Sequence, residues 1–411
     1  MLQSLAGVAG LTVIAWLFGR EAPNRAWRVA AVGLAMQFGL ALLLLKVPLS
    51  QGLFLALNAM VVAMQDATRA GTSFVFGYLG GGPLPFAETV PGGGFVLAFQ
   101  ALPMVLAMSA LSALLYHWRV MPIVVNGLSR VLEKSFGIGG AVGVGAAANA
   151  FVGMVEAPLL VRPYLARMSR GELFVVMTVG MATIAGTVMV LYATFLTGVV
   201  PNAIGHLLTA SLISVPAALM VAKLMIPDDT RTKGAPGDSR LYHGALDAVT
   251  RGTQDGLSLW LGILAMMIVL IALVHLANAA LGLLPALDGA PLSLQRMLSW
   301  VMMPLVWLTG LPWAEAEAGA KLMATKTVLN ELIAYLDLSR LPPEALSDRS
   351  RLIMTYSLCG FANFGSLGIL LAGMTAMAPE RREDILGLGM PSLVSGTLTT
   401  LLTGAVIGVL L

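Results

Sequence analysis

Two acidic residues stand inside apolar stretches: Glu156, in the run Asn149-Ala-Phe-Val-Gly-Met-Val-Glu156, and Glu331, directly after Asn330. A charge at the centre of a bilayer costs about 2.5–3.5 kcal/mol even on insertion scales, and such groups commonly mark the path of a solute or ion. Holding the hydroxyls of a polar solute, or a coupling ion, would justify both. The plainer alternative is an internal pair, Glu331 with Lys326 or Lys321, that locks its segment without touching solute. Asn149 and Thr183, with backbone oxygens near Val152 and Ile184, can form a cage of neutral oxygens for sodium where helices are interrupted. Thr183 can equally do no more than cap its own broken helix. Asn363 and Ser366 are three residues apart and can face one cavity, although Gly365 and Ser366 also suit close helix packing. Phe361 and Val188 offer apolar walls for a flat ring, or plain packing.

The elements that hold these residues must lie in a membrane. Of 411 residues, 58% are hydrophobic and 11% charged, against about one quarter charged in a soluble domain, and the mean hydropathy is +0.86. At roughly 20 apolar residues per span, the chain has room for about eight transmembrane helices. Suitable runs lie at 2–18, 29–47, 95–117, 172–198, 203–226, 256–284, 351–377 and 385–411. Placing the N-terminus outside puts Arg20, Arg25 and Arg28, Arg162, Arg167 and Arg170, and most other basic residues on the cytoplasmic side, so both termini are expected in the periplasm of a bacterial inner membrane. The first run has no basic residue before it and reads as a span, not a signal peptide.

The dispersed Lys and Arg exclude a nucleic-acid binder. The single Cys359 and four scattered histidines exclude a disulfide and a cysteine or histidine metal cluster. His275 reads as an interfacial residue, and the 24 methionines read as core filler. No nucleophile or phosphate loop accompanies the two glutamates, which argues against an intramembrane enzyme; a passive channel is a further alternative.

Residues 50–70 and 291–309 are apolar but interrupted, and are expected as interfacial helices. Residues 77–94 read as an external loop, 227–238 as a cytoplasmic turn, and 242–252 as a short amphipathic helix. Segments 137–166 and 312–338 each have both ends on one side in the eight-span topology. They are expected as re-entrant hairpins, the first from the cytoplasm and the second from outside, shielded by protein or an aqueous cavity.

The order repeats. The hairpin with Asn149 and Glu156 precedes a span interrupted at 182–187, and the hairpin with Asn330 and Glu331 precedes a span interrupted at 359–366. Entry from opposite faces makes this an inverted repeat, with a midplane site where the helices break. The fold class is therefore an all-α polytopic membrane protein with two hairpins, two broken helices and interfacial helices. Residues 1–136 and 227–311 are read as mainly scaffold, and 137–226 and 312–411 as the two transport repeats.

Three motifs carry a family resemblance. They are Asn149-Ala-Phe-Val-Gly-Met-Val-Glu156-Ala-Pro-Leu, Ala324-Thr-Lys326-Thr-Val-Leu-Asn330-Glu331-Leu-Ile-Ala-Tyr335 and Cys359-Gly-Phe-Ala-Asn363-Phe-Gly-Ser366. In this order the chain resembles the bacterial concentrative nucleoside transporters. The resemblance implies a homotrimer and sodium-driven nucleoside uptake, with protons as the alternative coupling ion, by an elevator-like movement of the transport part. It implies ribose contacts at Glu331, Asn363 and Ser366, a base region at Glu156 and Val188, a pocket wall at Phe361, and a sodium site at Asn149, Val152, Thr183 and Ile184. Met154 and Val155 stand where the family usually has Gln and Thr or Ser, and neither can hydrogen-bond strongly to a base edge. They imply poor discrimination among bases, or a different solute that keeps a ribose-like polyol. Leu332 in place of the family's Phe is a milder departure.

Overall fold

The computed structural model describes residues 1–19, 22–46, 48–86, 94–232, 242–287 and 289–411. Its helices in chain order are α1 (Leu2–Gly19), α2 (Pro23–Lys46), α3 (Pro48–Phe76), α4 (Leu97–Gln100), α5 (Met104–His117), α6 (Val120–Phe136), α7 (Gly140–Asn149), α8 (Glu156–Leu160), α9 (Arg162–Leu165), α10 (Arg170–Ala182), α11 (Gly186–Phe195), α12 (Ala203–Met225), α13 (Ala245–Leu281), α14 (Leu294–Leu308), α15 (Trp313–Val328), α16 (Glu331–Arg340), α17 (Asp348–Leu358), α18 (Phe364–Met377) and α19 (Arg382–Leu410). Among the described residues, seven helical runs are long and apolar enough to cross a membrane. The expected span not among them, 351–377, is divided into α17 and α18, and neither half is long enough alone.

Chemistry sets the helix boundaries. Ser169 and Glu172 form a reciprocal capping box at the start of α10, which satisfies backbone donors that the first turn leaves open. Ser293, Asn330, Ser347 and Asn363 each cap a following helix by accepting a backbone N–H. Two elements differ from expectation. The interfacial segment at 50–70 belongs to a single longer helix, α3, and the amphipathic stretch at 242–252 is not separate but mostly continues into α13. Of the loops at 77–94 and 227–238, residues 87–93 and 233–238 lie outside the described residues.

The centre of the protein is built from α10, α12 and α19, which are almost wholly buried. Buried hydroxyls join them: Thr178 lies 2.8 Å from Ser395, and Ser214 lies 3.0 Å from Thr403, which also accepts from Gln37 of α2 at 3.1 Å. Such bonds hold helices together where apolar burial provides no driving force between them. Helix α1 packs on α19 and α12, and α2 packs on α12, while α5 pairs with α13. The flanks of α13 expose large apolar residues such as Leu261, Ile268 and Leu276.

Two units share one element order. A helical hairpin (α7 to α8, then α15 to α16) is followed by a broken helix (α10 and α11, then α17 and α18) and a long helix (α12, then α19). The breaks meet at the centre: the Phe361 N–H donates to the Thr183 carbonyl at 3.3 Å. The first hairpin joins them, with the Gly186 N–H donating to the Phe151 carbonyl at 2.9 Å. A Cβ at Gly360 would lie 3.0 Å from the Ala182 carbonyl group and 2.6 Å from the Thr400 side chain, so this approach needs a residue without one.

Candidate functional site

Each hairpin places its glutamate at the first position of the second arm, Glu156 opening α8 and Glu331 opening α16. Helix N-termini favour negative charge, and the Glu331 carboxylate reaches both broken helices while Glu156 lies over its own turn at Gly153. Glu331 is held on both oxygens. The Tyr192 hydroxyl donates to Oε1 at 2.6 Å, and the Asn363 amide donates to Oε2 at 2.7 Å. Asn363 is itself fixed, because its Oδ1 accepts the Ser366 N–H at 2.7 Å and caps α18. Asn330 does the same for α16, accepting from the Ile333 N–H at 2.9 Å.

These groups line one cavity of about 340 Å³ between the hairpin tips, both breaks and α13. All eight side chains expected at the solute site reach it: Met154, Val155, Glu156, Val188, Glu331, Phe361, Asn363 and Ser366. One end is polar, with Glu331, Asn363, Ser366 and Tyr192. The wall formed by Met154, Val155, Val188, Leu259, Ile263 and Met266 is apolar. The internal-pair alternative for Glu331 does not match its partners. The Lys326 ammonium donates to the Ser357 carbonyl and the Thr400 hydroxyl, each at 3.0 Å, and Lys321 pairs with Glu317 at 2.7 Å.

Of the residues expected at the cation site, Asn149 and Thr183 are in direct contact. Asn149 ends α7, Val152 lies in the hairpin turn, and Thr183 and Ile184 lie in the first break. The Thr183 hydroxyl lies within hydrogen-bond distance of the Asn149 carbonyl, at 3.0 Å, and of the Val179 carbonyl, at 2.9 Å, and shares its one proton between them. It therefore ties back to its own helix and also bridges to the hairpin, which leaves its lone pairs available. Asn149 is 1% exposed; its amide donates to the Gly145 carbonyl at 3.2 Å, and its Oδ1 has no hydrogen-bond partner. A buried acceptor left open costs about 1–3 kcal/mol, and a bound cation would remove that cost. The donor set of neutral oxygens fits a hard monovalent ion.

The sequence description "Na+ dependent nucleoside transporter C-terminus" matches residues 206–408, "Na+ dependent nucleoside transporter N-terminus" matches 6–79, and "Nucleoside recognition" matches 98–198. The chain is 34% identical to "Uncharacterized transporter YutK" of Bacillus subtilis over 99% of both proteins. It is 32% identical to "Nucleoside permease NupC" of Helicobacter pylori, over 99% of this chain and 97% of that one. The chain belongs to the concentrative nucleoside transporter family. It is a transporter and not an enzyme. Against CNTnw in an inward-facing substrate-bound state it gives a TM-score of 0.87 at 35% identity, covering 99% of this chain and 98% of the other. It is also 33% identical to rat "Sodium/nucleoside cotransporter 1", spanning 64% of that longer protein.

Sequence reasoning missed two parts of the transporter's cavity. Tyr192 is four residues after Val188, so helical spacing places both on one face of α11. The α13 wall includes Ser258, Gly262 and Met266 at the same four-residue interval, a pattern visible in the sequence but without any charge to mark it.

Proposed function

We propose that the protein imports nucleosides across a bacterial inner membrane, driven by the sodium gradient, with the cavity as solute site and Asn149, Val152, Thr183 and Ile184 as cation site. The observation that carries this reading is the clamped Glu331 carboxylate beside an apolar wall, linked through the paired breaks to the open Asn149 oxygen. A ribose presents hydroxyl donors to Glu331 and finds partners in Asn363 and Ser366. A planar base lies against Val188, Phe361, Met154 and Val155. Sodium at the first break ties α7 to α10, so cation binding favours the arrangement of hairpin and breaks that closes the solute site.

The hairpins are read as re-entrant and the two units as an inverted repeat, with both termini periplasmic. Residues 137–226 and 312–411 form the transport part of an elevator in a homotrimer. Residues 227–311 and the α3 to α6 portion of 1–136 form the scaffold. Helices α1 and α2 pack on α12 and α19, so they are assigned to the moving part and not to the scaffold.

The test is accumulation of labelled uridine and adenosine in proteoliposomes. Uphill accumulation that requires an inward sodium gradient is expected. Accumulation driven by a proton gradient alone would replace sodium by protons, and simple equilibration would remove the active-transport reading.

A further inference from the structure

Lys326 is 0% exposed and lies in the last turn of α15, four residues before the hairpin tip Asn330. Its ammonium reaches only neutral acceptors, the Ser357 carbonyl at the end of α17 and the Thr400 hydroxyl of α19. Thr400 donates its own proton to the Thr397 carbonyl at 3.1 Å, which frees it to accept from the lysine. A buried cation without an acidic contact is expensive, and neutral acceptors alone rarely justify it. Glu331, 4% exposed and directly after the tip asparagine, receives side-chain hydrogen bonds from the neutral groups of Tyr192 and Asn363, and it is the acidic group that acts electrostatically on the ammonium.

We propose that Lys326 is a positioning residue for solute binding: held outside the cavity lining on Ser357 and Thr400, its ammonium is the counter-charge that keeps Glu331 an ionised acceptor for solute hydroxyls. A direct ion pair would occupy the carboxylate oxygens that the solute needs. Holding the ammonium on Ser357 and Thr400 supplies the field without a direct ion pair and leaves those oxygens to Tyr192, Asn363 and the solute. In the first unit the residue four before the hairpin asparagine is Gly145, and there a diffusible cation at Asn149 would supply positive charge instead. The other titratable groups turned toward the pair are Tyr192 from α11, Tyr335 from α16 and Cys359 from the second break. Glu156 of α8 lines the same cavity, with Asp255 of α13 acting on it, while other charged groups on neighbouring helices are engaged elsewhere: Glu317 with Lys321, Arg296 with the carbonyls of Leu287 and Pro291, Arg349 with those of Gly310 and Gly408, and Arg351 with those of Leu346 and Pro342.

The proposal rests on the reading of the cavity as a nucleoside site, and the test separates the two. Uridine affinity of the purified transporter is measured from about pH 5.5 to about pH 7.5 for the wild type and Lys326→Met. The variant is expected to bind at least about tenfold more weakly at the acid end and to recover toward the alkaline end, because a buried carboxylate without its counter-charge holds a proton near neutrality. The wild type stays nearly flat. An unchanged affinity, or a loss that does not vary with pH, makes Lys326 a structural tether and overturns the proposal. If Lys326→Met does not assemble, Lys326→Met with Glu331→Gln decides: recovery of assembly supports paired charges, and continued failure overturns them. A wild type that binds no nucleoside sinks the substrate reading, while the assembly arm still judges Lys326.

Discussion

Tyr192→Phe isolates one interaction in the solute site. The substitution deletes a hydroxyl and keeps the ring, so the stacking of Tyr192 on Tyr335, with centroids 5.0 Å apart, is preserved. What is lost is a 2.6 Å bond to a carboxylate, between residues that are 2% and 4% exposed. Hydrogen bonds to charged groups contribute about 1.5–3 kcal/mol. At about 1.4 kcal/mol per decade, this corresponds to about a tenfold to hundredfold loss of affinity if the clamp orients Glu331 for the solute. Water entering the cavity can partly satisfy the freed oxygen, which places the expectation near tenfold. The assay is uridine affinity by titration calorimetry, with thermal unfolding on the same samples. Tyr335→Phe is the control, because that hydroxyl donates to the Thr355 carbonyl at 2.8 Å and not to Glu331. It should lower the melting temperature and leave affinity unchanged. Equal affinities for Tyr192→Phe and wild type would show that the clamp does not orient Glu331.

Other consequences can be checked in the same preparations. Asn149→Ala removes the open acceptor and should weaken sodium stimulation of uridine uptake by about tenfold or more, read as the sodium concentration for half-maximal uptake; an unchanged sodium response removes Asn149 from the cation site. Met154→Gln with Val155→Thr restores polar groups on the base wall and should widen the affinity ratio between uridine and adenosine, measured by competition against labelled uridine. Gly360→Ala should destabilise the protein by about 1–3 kcal/mol, seen in thermal unfolding, because the added methyl meets the Ala182 backbone and Thr400. In the turn after α12, partial burial pushes the Asp228 carboxyl up, but hydrogen bonds from the Ser169 hydroxyl, the Thr230 side chain and backbone and the Gly171 N–H outweigh it and hold the group below its usual range. A depressed carboxylate stabilises the fold above its unfolded value of about 3.9, and that stability is lost as pH falls through the lower folded value. Asp228→Asn should therefore lower the melting temperature at neutral pH, and the gap from wild type should close below about pH 4.

The legible part of the site was the part marked by cost. Glu156, Glu331, Asn149 and Asn363 stand in apolar runs where polar groups need partners, and the cavity and the adjoining break contain all of them. Tyr192 carries no such mark, since a tyrosine in an apolar helix is commonly an amphipathic packing residue. The α13 wall was hidden for a related reason. The expected short amphipathic helix at 242–252 and the expected span at 256–284 join in one helix, and Gly252 and Gly256 lie at the junction. In the fold they are seats for α5: a Cβ at Gly252 would lie 2.7 Å from the Ala113 Cβ, and one at Gly256 would lie 2.9 Å from the Leu106 Cα. Small residues here allow a close helix contact instead of ending a helix.

The two units also show why similar sequence can have opposite duties. Asn149 and Asn330 sit at corresponding hairpin tips, but only Asn330 begins a helix that its side chain can cap. Its oxygen is satisfied by the Ile333 N–H, and no demand remains for an ion. Asn149 ends a helix, its amide is turned back to Gly145, and its oxygen stays open in a buried setting. The difference lies in the turn that follows: Asn330 is followed at once by α16, whereas six residues separate Asn149 from α8. On the proposed function, a tip that closes on itself holds the Glu331 carboxylate preformed for the solute, and a tip with a longer turn leaves an oxygen for a cation to complete. Shortening that turn by deleting a residue between Ala150 and Val155 should abolish sodium stimulation before it abolishes solute binding, and loss of both together would argue against this division of labour.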